Sequence, residues 1–135
     1  MPIYFKNGYK YQLVENYTVE IRIRPSNDIS FDYITLNTSG ILCLKKGFSW
    51  DGSSGSIDYK NYRASAIHDA LYKLFRNDKL NRGKYRVVAD EIFREMLLED
   101  GCGKIRAWYH YKAVRMFGGK AASKKNIKKI IKAPW

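Results

Sequence analysis

Residues 18–23, Thr-Val-Glu-Ile-Arg-Ile, alternate strictly between polar and apolar side chains. Successive side chains of a β-strand point to opposite faces of the sheet. Val19, Ile21 and Ile23 would therefore share one face, and the alternation predicts a half-buried strand.

Three further segments of the first half are typical of strands: 9–14, 33–36 and 41–44. Residues 37–40, Asn-Thr-Ser-Gly, separate the last two segments and read as a hairpin connection. We therefore expect a small antiparallel sheet from about residues 3–46.

The second half of the chain shows helical periodicity. Apolar residues recur every three or four positions over about 62–75 and again over 89–97, after which Gly101 is expected to end the second helix. A third helical stretch includes 105–115 and is predicted to end at Gly118–Gly119. The expected fold is therefore α+β, with an antiparallel helix pair and a third helix after the sheet.

The length of 135 residues predicts one α+β domain, over residues 1–120, with a basic amphipathic tail over 121–135. No apolar run approaches the roughly 20 residues that span a bilayer, and no secretory signal is visible. Two cysteines and two histidines exclude a disulfide scaffold and a four-cysteine zinc site.

The net charge of +12 is concentrated at the end of the chain. Residues 103–135 contain ten lysines and arginines and no acid, whereas the first hundred residues are about neutral. Such an end suits an anionic lipid surface, nucleic acid or an acidic phage or host protein, and a solvated tail is the alternative. The expected contacts to an anionic partner are four lysines: Lys124, Lys125, Lys128 and Lys129.

The residues with chemical potential lie on the two central helices and in the loop before them. His68 and Tyr72 share one edge of the first helix, and Asp90 on an antiparallel second helix would reach the His68 ring. A histidine beside a carboxylate is a general-base arrangement, although it is also common as a buried structural network. Asp69 would face the glycine- and serine-rich loop of residues 47–56, where oxygen ligands suit calcium.

Four segments carry a resemblance over almost the whole chain: 46–54, 66–72, 89–96 and 113–118. They resemble a family of small proteins common in tailed bacteriophages and prophages. In that family a Gly-Phe-x-x-Asp-Gly-x-Ser loop follows a β-hairpin and precedes an His-Asp-x-Leu-Tyr helix and an Ala-Asp-x-x-Phe helix. The family has no known function. The resemblance implies a phage origin and synthesis in the cytoplasm of a bacterial host, with association with the virion as one option.

Residues 47–117 are also similar to calcium-dependent phospholipase A2 enzymes, above all to the compact domain of parvovirus minor capsid proteins. Both spacings, 21 residues from Gly47 to His68 and 22 from His68 to Asp90, are similar in the viral domain. The resemblance implies that His68 is the general base, that Asp90 orients it, and that the hydroxyl of Tyr72 holds Asp90.

The same resemblance implies a calcium ion. Asp69 matches the calcium-binding carboxylate, and backbone carbonyls near Gly47, Ser49 and Gly52 match the remaining ligands. The usual Tyr-Gly-x-Gly pattern of the calcium loop is replaced by Trp-Asp-Gly here, so Asp51 either adds a ligand or serves structure.

Two functions follow as hypotheses. The first is a calcium-dependent lipid ester hydrolase that acts at a membrane. The second is a non-enzymatic virion or host-interaction protein, in which His68, Asp69 and Asp90 form a structural network and the basic end binds an anionic partner.

Overall fold

The computed structural model describes residues 3, 5–6, 11–50 and 62–123. In these residues the chain forms short strands followed by helices. The strands are β1 (Phe5–Lys6), β2 (Tyr11–Leu13), β3 (Tyr17–Glu20), β4 (Ile29–Phe31), β5 (Ile34–Leu36), β6 (Ile41–Leu44) and β7 (Ser49–Trp50). The helices are α1 (Tyr62–Arg76), α2 (Arg82–Glu99) and α3 (Lys104–Ala121).

All described strand pairings are antiparallel, and the predicted α+β fold class is confirmed. The strands form two sheets, with the orders β1-β2-β7 and β3-β6-β5-β4, where the sequence predicted one. The predicted hairpin at residues 37–40 joins β5 to β6, as expected.

The strand β7 lies where the sequence predicted an irregular loop. Trp50 pairs with Tyr11 of β2, its ring is buried, and its indole nitrogen donates a hydrogen bond of 3.0 Å to the hydroxyl of Ser65 on α1. Phe48 is buried beside it, with ring centroids 6.1 Å apart. Burial of two large aromatic side chains therefore outweighs the irregular composition of the neighbouring residues.

The helices pack antiparallel in chain order. Arg63 near the start of α1 contacts Asp100 after the end of α2, whereas Tyr72 near the end of α1 contacts Arg86 near the start of α2. Arg86 in turn contacts the Arg115 carbonyl late in α3. Apolar side chains from both sheets and from the helices fill one core.

The predicted end of the third helix at Gly118–Gly119 is wrong, because α3 continues to Ala121. Gly118 is buried, and a Cβ at this position would overlap the hydroxyl of Tyr72 on α1. The glycine therefore permits a close approach between two helices instead of ending one. Gly101, by contrast, follows α2 with a φ of 93°, as expected for a glycine after a helix.

Candidate active site

Asp90 is the centre of the candidate site. It lies on α2 between the core residues Ala89 and Ile92, and its exposed fraction is 0%. Because a buried charge is unfavourable without partners, the groups around it decide what the site is. They come from all three helices.

The predicted contact between His68 and Asp90 is present. The Nε2 atom of His68 lies 2.7 Å from Oδ1 of Asp90, and the hydroxyl of Tyr72 donates to the same oxygen at 2.7 Å. His68 and Tyr72 are four residues apart on α1, so both side chains leave the same face of the helix and reach one carboxylate. The His68 and Tyr72 rings also touch, with centroids 4.2 Å apart.

Two arginines complete the surroundings of Asp90. Arg115 on α3 donates a hydrogen bond of 2.8 Å from its guanidinium to Oδ2 of Asp90. Arg86 lies one turn before Asp90, with its Nε atom 4.0 Å from Oδ2, and donates to the Tyr72 hydroxyl at 3.2 Å. Its guanidinium also donates to the backbone carbonyls of Val114 and Arg115 at 3.0 and 2.9 Å.

These contacts keep Asp90 ionised. Burial by itself would raise the pKa of its carboxyl, but the hydrogen bonds from His68 and Tyr72 and the pairing with Arg115 lower the pKa below its ordinary value. The pKa of Tyr72 is raised, first by its burial and then by its hydrogen bond to Asp90. Tyr72 is therefore a neutral phenol that donates to a carboxylate.

The charge of Asp90 determines the tautomer of His68. An ionised carboxylate only accepts hydrogen bonds, so Nε2 of His68 carries the proton that it donates. In the neutral ring the lone pair is then on Nδ1, for which the described part of the chain supplies no hydrogen-bond partner. The side chain is 13% exposed and lies against the Phe93 ring at a centroid distance of 4.7 Å. This arrangement is suited to a general base.

Arg86 and Arg115 are site residues that the sequence did not predict. Arg86 carried a usable signal, since it stands four residues before Asp90 on one helix face. Arg115 carried none in its local sequence: it is 25 residues from Asp90, and only the packing of α3 against α2 brings it to the carboxylate.

Of the predicted calcium ligands, the structure describes Gly47, Ser49 and Asp69. On α1, Ser65 contacts Trp50 and Lys73 contacts the carbonyl of Ser49. The half-buried Asp69 is four residues from Ser65 and four from Lys73. Asp69 therefore lies on the same face of α1, the face that packs beside β7. Asp51 and Gly52, and the four lysines of the predicted anionic-partner site, lie outside the described residues.

The described carbonyls do not fit a calcium ion. The carbonyl of Ser49 accepts a hydrogen bond of 3.2 Å from the ammonium of Lys73, and that of Gly47 accepts from Gln12 and from the Ser49 hydroxyl. The ammonium of Lys73 thus occupies the position beside the Ser49 carbonyl that a calcium ion would need. The described residues also contain no group of three or more histidine, cysteine or acidic side chains placed to hold a metal.

Comparison with known proteins identifies a family. Residues 28–114, more than half of the chain, match the model of a family described as "Protein of unknown function (DUF1353)". No curated protein and no solved structure matches the chain. The matched segment includes His68, Tyr72, Arg86 and Asp90 and ends one residue before Arg115. The chain therefore belongs to the DUF1353 family.

Proposed function

We propose that the chain is a lipid ester hydrolase with a phospholipase A2-like site, in which His68 is the general base. The observation that carries the proposal is the hydrogen bond of 2.7 Å from His68 to the buried, ionised Asp90. That bond directs the free lone pair of His68 away from Asp90, and it stabilises the imidazolium that forms when His68 takes a proton.

The reaction follows from these positions. Nδ1 of His68 removes a proton from water, and the water oxygen forms a bond to the carbonyl carbon of the ester. When the bond from this carbon to the alcohol oxygen breaks, His68 returns the proton to the alcohol. Asp90 stays ionised throughout, because Tyr72 and Arg115 hold it. The products are a fatty acid and an alcohol.

Calcium remains a prediction from the phospholipase A2 resemblance. If an ion is needed, its ligands must include groups beyond the carbonyls of Gly47 and Ser49. We also propose a phage origin and an anionic membrane as the place of action, since the basic residues of the chain favour anionic lipid.

The test is fatty acid release from vesicles that contain phosphatidylglycerol. We expect release by the wild-type protein and a loss of about 10²–10⁴-fold in His68→Gln. His110→Gln is the matched control, because His110 also contacts the Phe93 ring, at a centroid distance of 6.2 Å, and is the second histidine of the chain. A chelator measures the calcium requirement separately. Absence of release by the wild type, or equal release by His68→Gln, would refute the proposal.

A second function is favoured by a different observation. Asp90 accepts hydrogen bonds from α1 at one oxygen and from α3 at the other, so it ties three helices together. In a non-enzymatic virion or host-interaction protein, this network would serve only stability. His68→Ala would then lower the free energy of unfolding by about 1–3 kcal/mol, with no hydrolysis in the wild type to lose.

The basic tail would carry the binding in this second function. Replacement of Lys124, Lys125, Lys128 and Lys129 by glutamine would weaken binding to an anionic partner, and added salt would weaken it in the wild type. Binding that is insensitive to salt would instead indicate an apolar interface.

A further inference from the structure

Helix α3 has an apolar face that the described residues do not cover. Its large side chains are between 45% and 75% exposed. They are Ile105, Trp108, Tyr109, Met116 and Phe117. Together with the exposed Lys112 and Lys120, these five residues form what we call the outer face of α3.

The position of this face follows from helix geometry. Ala107 and Gly118 are buried against the rest of the protein, and Arg115 reaches Asp90. Ile105 and Met116 are eleven residues apart, three turns of an α-helix, and project on the side opposite to Ala107 and Gly118. The outer face therefore points away from the side on which Ala107 and Gly118 are buried.

The charge of the face is of one sign. Residues 101–123 contain no acidic residue, and Lys112 places its ammonium over the Trp108 ring at 5.7 Å from the centroid. Apolar side chains flanked by lysines form the pattern of helices that lie in the interface of an anionic bilayer.

We propose that the outer face of α3 binds the surface of an anionic membrane. Ile105, Met116 and Phe117 would enter the boundary between headgroups and acyl chains, and Trp108 and Tyr109 would lie at the headgroups. The lysines would contact lipid phosphates. In the described residues no helix is long and apolar enough to cross a bilayer, so α3 would lie along the surface. The proposal goes beyond the hydrolase, because lipid binding requires no catalysis.

Other occupants fit less well. A second copy of the chain would oppose lysines to lysines across the interface, with no acid on either side to pair with them. Nucleic acid would gain from stacking on Trp108 and Tyr109 but not from the aliphatic Ile105 and Met116, which are 75% and 69% exposed. A bilayer uses the aliphatic, aromatic and charged groups together.

Co-sedimentation with vesicles of phosphatidylcholine alone, or mixed with phosphatidylglycerol, tests the proposal on the full chain. We expect binding to the anionic vesicles that is at least about tenfold stronger than to the neutral ones. Lys112→Gln/Lys120→Gln should weaken it about thirtyfold, and Ile105→Ser/Met116→Ser about tenfold or more. Val14→Ser/Tyr33→Ser, at two partly exposed residues of the strand-forming half, is the matched control and should bind as the wild type.

Three outcomes would overturn the proposal: wild-type binding by both α3 variants, equal binding to neutral and anionic vesicles, or binding to a DNA duplex in place of vesicles. The hydrolase proposal is tested separately, with a soluble short-chain ester that needs no membrane. His68→Gln should bind vesicles normally and lose hydrolysis, whereas the α3 variants should keep hydrolysis of the soluble ester.

Discussion

Helix α2 carries acidic residues on two sides, and the two sides differ in almost every physical respect. Asp90 points inward, is fully buried and accepts hydrogen bonds from three side chains. Glu91 and Glu95 point outward, have side chains 47% and 53% exposed, and both pair with Arg22. All three are carboxylates with a cationic partner.

The comparison of the two sides illustrates that burial sets how much a charge pair contributes to stability. In water the Arg22 pairs are screened, and exposed pairs of this kind contribute about 0.2–1 kcal/mol. A buried carboxylate must be paired, and removal of one member of a buried pair costs about 3–5 kcal/mol. On the inner side solvent does not screen the carboxylate, so Asp90 interacts more strongly with its partners, and His68 is bound there.

The largest expected effect is that of Asp90→Ala. Loss of the carboxylate leaves the Arg115 guanidinium without its buried partner, so the free energy of unfolding should fall by about 3–5 kcal/mol. Urea denaturation of the variant measures it. Glu91→Ala is the matched control, one residue away on the exposed side, and should cost less than about 1 kcal/mol. Equal effects of the two substitutions would remove the distinction between the two sides of α2.

The pH dependence of stability sharpens the same distinction. The pKa of Asp90 is lowered in the folded protein, so its contribution is fully present above its unfolded pKa of about 3.9. As the pH falls toward the lower folded pKa, that contribution is lost, because the unfolded chain takes up the proton first. The difference in unfolding free energy between wild type and Asp90→Asn should therefore shrink as the pH falls below 4. A difference that stays constant to pH 2 would contradict the lowered pKa.

Gly118→Ala tests the contact that brings α3 close to the site. The added methyl group overlaps the Tyr72 hydroxyl, so we expect a loss of about 1–3 kcal/mol and a weakened bond from Tyr72 to Asp90. Gly119→Ala is the control: its Cβ would meet Arg86 at 3.7 Å, an ordinary contact, and alanine favours the helix by about 0.5–1 kcal/mol. Thermal unfolding of both variants should show shifts of opposite sign.

The smallest expected effect is that of Arg22→Ala. Arg22 joins the strand-forming half to α2 through exposed pairs with Glu91, at 3.3 Å, and Glu95. We expect a loss of about 0.2–1 kcal/mol that decreases in 0.5 M salt, because ions screen exposed charges. A salt-independent loss above 2 kcal/mol would show that this pair behaves like the buried one.

Local patterns predicted much of the fold. The alternation over residues 18–23 continues in the burial of the side chains, with Ile21 and Ile23 buried and Arg22 exposed, although β3 itself ends at Glu20. Helical periodicity predicted a helix over about residues 62–75, and α1 is described over Tyr62–Arg76. These successes have a common cause: a strand or helix that covers a core needs apolar residues at its own period.

The contact of His68 with Asp90 was also predictable, because their separation of 22 residues is similar to the spacing of the corresponding pair in the phospholipase A2 enzymes. The pairing of β7 with β2 and the extension of α3 past Gly118 were not. In both cases a contact distant in sequence outweighs local preference: Trp50 is buried beneath α1, and Gly118 fits against Tyr72.

The sequence by itself determined the fold class, the helix pair and the contact of His68 with Asp90, since each depends on spacing within one or two elements. Only the tertiary structure decided that Arg115 of α3 reaches Asp90 and that Trp108 faces outward. The reason is that the rotation of α3 about its axis is set by packing. Once Gly118 and Ala107 are buried, Arg115 lies at the edge of the inward side and reaches Asp90, while Ile105 and Met116 point to the opposite side.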